Sequence, residues 1–114
     1  MTQYKLKFVN GGSPFEMPEW TVGKHEKLLK TMIPFDEKLK LDVLKKSDYD
    51  KIYRENMILS SLNEIDKNVN ETHLKSMHPD DFIDLWEAVY NSGKRGIIVN
   101  NNLDFQAGEK TSPN

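Results

Sequence analysis

The stretch from His78 to Gly96, HPDDFIDLWEAVYNSGKRG, constrains this chain more than any other, because it carries both the start and the stop signals of one amphipathic helix. Pro79 suits the first helical position, where its missing N–H costs nothing. Asp80 and Asp81 follow in the first turn, where the helix dipole favours negative charge. Phe82, Leu85, Trp86 and Val89 then recur at i, i+3, i+4 and i+7, a single apolar stripe that must be buried against something. Gly93 stands where a left-handed cap is wanted, followed by Lys94 and Arg95. A helix over about 79–92 is therefore expected, and its strongest signals concern packing.

The rest of the chain is less sharply marked. Tyr4, Leu6 and Phe8 alternate with Lys5 and Lys7, which is the period of a half-buried strand. Asn10-Gly11-Gly12-Ser13-Pro14 reads as a turn, and Phe15-Glu16-Met17 as a short return strand limited by Pro18. These predict a β-hairpin over 3–18. Thr21 is a plausible N-cap for a helix over about 21–33, with His25, Leu28, Leu29 and Met32 on its stripe and Pro34 ending it. A second helix is expected over 36–46, where the periodicity is ambiguous. Ser47, with Asp50 three residues on, predicts the cap of a third over 48–67. Asn68–Ser76 reads as a polar connector. The expected fold class is α+β and mainly α: an N-terminal hairpin, then a small bundle of about four helices. Residues 1–99 would form one domain, and the polar run 100–114 a flexible tail.

Composition narrows the function. With 16 basic and 18 acidic side chains the net charge is −2, which argues against a general nucleic-acid binder. The acidic start of the last helix would also face phosphates with Asp80, Asp81 and Asp84. Without cysteine there is no disulfide, iron–sulfur or thiol chemistry. No apolar run approaches the length of a membrane span, and the N-terminus alternates where a signal peptide would run apolar. His25, His73 and His78 show no metal-ligand spacing, and surface or capping roles account for them. The pairs Glu16/Glu19 and Asp80/Asp81 have no mark of a buried, shifted carboxylate. Neither a nucleophile elbow nor a phosphate loop occurs; Gly93-Lys94-Arg95-Gly96 reads as a helix end. No catalytic residue, cofactor or metal is expected.

What remains is surface for other polypeptides. Methionine adapts to irregular apolar partners, and Trp and Tyr tend to carry interface energy. Phe82, Trp86 and Val89 fit the core by their stripe, while Tyr53, Met57 and Tyr90 lie off the central stripes. The candidate partner-binding residues are Tyr53, Met57, Trp86 and Tyr90, with the β-prone Ile97 and Ile98.

Two segments carry a family resemblance. One is FEMPEWTVGKHEKLL (Phe15–Leu29), running through Pro18 into a first helix by way of Thr21-Val22-Gly23. The other is DDFIDLWEAVYNSGKRGI (Asp80–Ile97), a final amphipathic helix ending in small and basic residues. In these segments, and in layout over residues 4–99, the chain resembles the short form of the tail assembly chaperones of long-tailed bacteriophages that infect Gram-positive bacteria. The resemblance implies a non-enzymatic protein of the host cytoplasm, absent from the mature virion. Such proteins bind the tape-measure protein, keep it soluble and help recruit the major tail protein. Many members also have a longer, frameshifted form. A homo-oligomer is left open. Two other classes also stay open: a virion structural adaptor such as a head–tail connector component, and a small phage regulatory nucleic-acid-binding protein using Lys5, Lys7, Lys94 and Arg95.

Overall fold

Four helices order the chain in the computed structural model, which describes residues 2–94: α1 (Val22–Lys40), α2 (Lys46–Leu62), α3 (Glu71–Lys75) and α4 (Pro79–Asn91). The number matches expectation, but the chain is divided differently. Among the described residues no helix is long and apolar enough to cross a membrane.

The expected hairpin does not form. Among the described residues there is no strand, only one antiparallel bridge between Tyr4 and Phe15. Its two hydrogen bonds, 2.8 and 2.9 Å long, have no neighbours to extend them into a ladder. On the turn side the next pairing would join Leu6 and Ser13, but Leu6 O accepts from Val9 N at 3.1 Å and Ser13 N donates to Asn10 O at 3.2 Å. Between the bridge partners the backbone turns through a short 3-10 helix at Asn10–Gly12, where all three residues have positive φ. Asn10 donates its N–H to Asp66, 2.9 Å away in the α2–α3 connection, and not across a hairpin. The fold class is thus helical, with an irregular N-terminal arm in place of the β part of an α+β fold.

Helix α1 passes through Pro34 and ends at Lys40, so neither a helix stopping at 33 nor a separate one over 36–46 exists. An internal proline removes one hydrogen bond and crowds the preceding turn, at a cost of about 3 kcal/mol. Burial of Leu28 and Met32 before it, and packing of Phe35 against the same core after it, hold the helix together across that cost. The stop comes at Asp42, in the left-handed region with φ 56°. Val43 N–H donates to Lys38 O at 2.9 Å and Asp42 N–H to Leu39 O at 3.2 Å, the paired bonds of a Schellman cap. At the other end Thr21 Oγ1 accepts from Lys24 N at 3.2 Å.

Helix α2 starts at Lys46, one residue before Ser47. Its N-cap is Lys45, with no side-chain capping bond, so Ser47 does not cap it. The helix ends at Leu62, short of the expected 67; Asn63 Nδ2 then donates to Asp66 O at 3.1 Å and Val69 O at 2.9 Å, closing the turn that follows. The expected polar connector contains α3. Its N-cap Asn70 accepts from Thr72 N at 3.0 Å and donates its own N–H to His73 Nδ1 at 3.1 Å, a capping box built with histidine. His78 likewise caps α4 by accepting from Asp80 N at 3.1 Å.

Helix α2 lies at the centre and packs against α1, α3 and α4. Met57, Ile58 and Leu62 from α2 meet Leu28 and Met32 from α1 and Leu85 and Val89 from α4 in one buried cluster, which Val9 and Phe15 of the arm join. Tyr49 ties α2 to α1 by donating its hydroxyl to Asp36. That bond to a carboxylate, with burial adding to it, pushes the Tyr49 pKa up to about 12. The arm and the end of α4 are clasped together. Trp20 N–H donates to Ser92 O at 3.1 Å, and Ser92 Oγ lies 2.8 Å from Pro18 O. Gly93, at φ 81°, completes the clasp against Glu19. The tail expected over 100–114 lies outside the described residues.

Candidate partner-binding surface

The residues expected to meet a partner separate into three groups. Met57 is 0% exposed and belongs to the core, because α2 is covered on more than one side. Ile97 and Ile98 lie outside the described residues. Tyr53, Trp86 and Tyr90 come together where α2 and α4 run side by side.

Tyr53 is half-buried, with its hydroxyl 3.5 Å from His25 Nε2. Trp20 donates its indole N–H to His25 Nδ1 at 3.4 Å, so the His25 ring bridges Trp20 and Tyr53. Burial, reinforced by the neighbouring Tyr90, raises the Tyr53 pKa. Trp86 stacks on Tyr90 with ring centres 5.4 Å apart and planes inclined by 19°. The Arg54 guanidinium covers Trp86 at 5.0 Å, and Lys94 Nζ covers Tyr90 at 5.1 Å. The result is a ladder of cation, indole, phenol and cation along α4, with Tyr90 49% exposed. The indole N–H of Trp86 is buried without an acceptor among the described residues.

Below this ladder lies a groove of about 520 Å³ between one face of α2, the end of α3 and the first turns of α4. Its apolar lining comes from Leu74, Met77, Phe82 and Ile83, and its charged lining from Lys51, Arg54, Lys75 and Glu55. Glu55 is 6% exposed, and Lys75 answers its charge at 3.1 Å. The hydrogen bond to Glu55 raises the Lys75 pKa. Arg54 belongs to the groove and the ladder alike. Phe82, Ile83, Trp86 and Tyr90 fall within one sector of α4, at i, i+1, i+4 and i+8. Groove and ladder therefore form one strip, running from Pro79 to Tyr90 over about 16 Å, or three helical turns.

Two other surfaces stand out. Between α4 and the arm, adjoining hollows of about 550 and 340 Å³ share Tyr4, Asp84 and Ala88, and carry the carboxylates Glu16, Asp81, Asp84 and Glu87. On α1, Val22, Leu29 and Ile33 form an exposed stripe at i, i+7 and i+11.

Sequence reasoning missed the groove. One signal could have shown half of it: Ser47, Lys51, Arg54 and Glu55 recur at helical spacing and define a single face of α2. Among the described residues no three His, Asp or Glu side chains are grouped so that they could hold a metal ion. No family model, curated protein or solved structure matches the chain.

Proposed function

We propose that this chain is a non-enzymatic tail assembly chaperone that binds the phage tape-measure protein through the α4 strip. It keeps that long helical protein soluble while tail-tube subunits, built from the major tail protein, assemble around it. The family assignment rests on the resemblance carried by Phe15–Leu29 and Asp80–Ile97. The observation that supports it most is the continuity of the strip. Ile83, one turn in from its start, and Tyr90, at its far end, are partly open to solvent, Trp86 lies between them, and a groove of about 520 Å³ deepens the start. A holdase needs such adaptable apolar surface wide enough for one face of a helix. Trp, Tyr and Arg, the side chains that most often anchor protein interfaces, all occur in it.

Co-expression tests this reading. Produced alone, the tape-measure protein of the same phage should collect in the insoluble fraction, and producing this chain with it should move it to the soluble fraction. A Tyr90→Asp chain should fail to do so while remaining folded. A tape-measure protein whose solubility ignores the chain would refute the proposal.

A further inference from the structure

We infer that the α4 strip selects a partner helix with an acidic edge: an amphipathic helix whose apolar stripe is flanked by Asp or Glu. The inference rests on the reading of this strip as the partner-binding surface and adds the chemistry that the partner must have.

The strip carries positive charge that the chain itself does not compensate. The chain as a whole is slightly acidic, at −2, yet the groove lining sets Lys51, Arg54 and Lys75 against a single carboxylate, Glu55. Of these cations only Lys75 is matched, by Glu55 at 3.1 Å and Glu71 at 3.5 Å. Lys51 and Arg54 have no carboxylate partner among the described residues. Lys94, over Tyr90, adds a cation at the far end of the strip. Of the four carboxylates of α4, Asp81, Asp84 and Glu87 line the hollows facing the arm, and Asp80 stands in the exposed first turn, 3.9 Å from His78 Nδ1 and outside the groove lining. Helix α4 thus separates a basic apolar groove from hollows that hold four carboxylates and one cation, Lys5.

The groove is also divided along its length. Phe82 and Ile83 enter it from α4, Leu74 and Met77 from the α3 end, and Lys51 and Arg54 from α2. A helix laid in it would place its apolar stripe against Met77, Phe82 and Ile83 and turn one flank towards α2. A lysine on that flank would meet Lys51 and Arg54, a like-charge contact that disfavours binding, whereas a glutamate there gains two cations. Arg54 is held by its stacking on Trp86, so it presents its charge at little cost in side-chain freedom.

Fluorescence anisotropy with two labelled helical peptides tests the inference on the full chain. Both carry leucines at i, i+4 and i+7; one has glutamate on the flanks, the other lysine. The glutamate peptide should bind about tenfold or more tightly at low ionic strength, and the gap should narrow as salt screens it. Lys51→Glu, an exposed change, should weaken the glutamate peptide and strengthen the lysine peptide. Damage to the fold cannot produce that gain. Ile83→Asp should abolish binding of both, with the helical circular dichroism of the chain unchanged. Equal affinities, failure of both peptides to bind, or a preference untouched by Lys51→Glu would each overturn the inference. Equal affinities lost together on Ile83→Asp would leave the strip as a binding surface blind to charge. The solubility of the tape-measure protein is read separately and does not depend on this result.

Discussion

Met57 and Tyr90 lie on adjacent helices and make opposite predictions when truncated. Met57 is 0% exposed and sits in the cluster with Met32, Ile58 and Leu62. Met57→Ala removes the side chain beyond Cβ. Lost transfer energy accounts for about 2 kcal/mol at ~0.8 per buried methylene-sized group. A cavity term follows, because α1 and α4 brace α2 and leave it little room to close. The expected loss is about 3 kcal/mol, within the 2–5 found for such truncations. At roughly 4–8 °C per kcal/mol for a domain of this size, the midpoint falls by about 12–24 °C. Tyr90 is half exposed, so Tyr90→Ala forfeits mainly the stacking on Trp86 and part of its buried area, about 1 kcal/mol. Urea unfolding followed by far-ultraviolet circular dichroism reads both, the midpoint shifting with unchanged slope. Co-expression with the tape-measure protein should rank them the other way, with Tyr90→Ala impaired and folded Met57→Ala competent. A stability loss below about 1 kcal/mol for Met57→Ala would refute the placement of α2 at the centre.

Three further outcomes follow from the backbone and its caps. Gly93→Ala forces a left-handed residue to carry a Cβ that would stand 2.4 Å from Glu19 Cγ, so it should cost about 1–3 kcal/mol in thermal unfolding. Asp42→Gly relieves the left-handed Schellman position and should raise the midpoint, by up to about 1 kcal/mol; a loss would show that the Asp42 side chain itself supports the turn. Asp66 accepts the N–H groups of Asn10 and Asn68, both at 2.9 Å, and these bonds hold its pKa below the ordinary value. Its contribution is therefore complete above about pH 4 and disappears as the pH falls through the lowered pKa. Hydrogen exchange at Asn10 should lose protection over that acid range, and Asp66→Ala should remove the pH dependence.

Legibility in the sequence followed how local each determinant was. Helix α4 could be read because Pro79 and the first-turn acids act within one turn of its start; at the other end an extended Ser92 stops the helix, and Gly93 takes its positive φ in the turn beyond it. The hairpin was misread because alternation at Tyr4, Leu6 and Phe8 reports which side chains are buried and not whether the backbone has a partner. Phe8 stacks on His73 at 5.2 Å, so the helical domain satisfies the same pattern. Pro34 was misread because a local rule gave way to the burial of residues on both sides of it. Helix α3 escaped notice because its capping box uses His73 where Glu or Gln is usual. Met57 lies off the central stripe, a position that fits core and surface equally well in sequence, and it is buried because a central helix is covered on several faces. Trp86, assigned to the core by its stripe, is half-buried and takes part in the ladder as well. The groove was hidden for a different reason: its lining comes from three elements, and no single segment records their meeting.

Whether the α4 strip holds its proposed client can be read by light scattering on the purified full chain, alone and mixed with a helical segment of the tape-measure protein. A defined complex should form whose mass exceeds that of either component, and Tyr90→Asp should abolish it. A chain that keeps its own mass in the presence of the segment would contradict it.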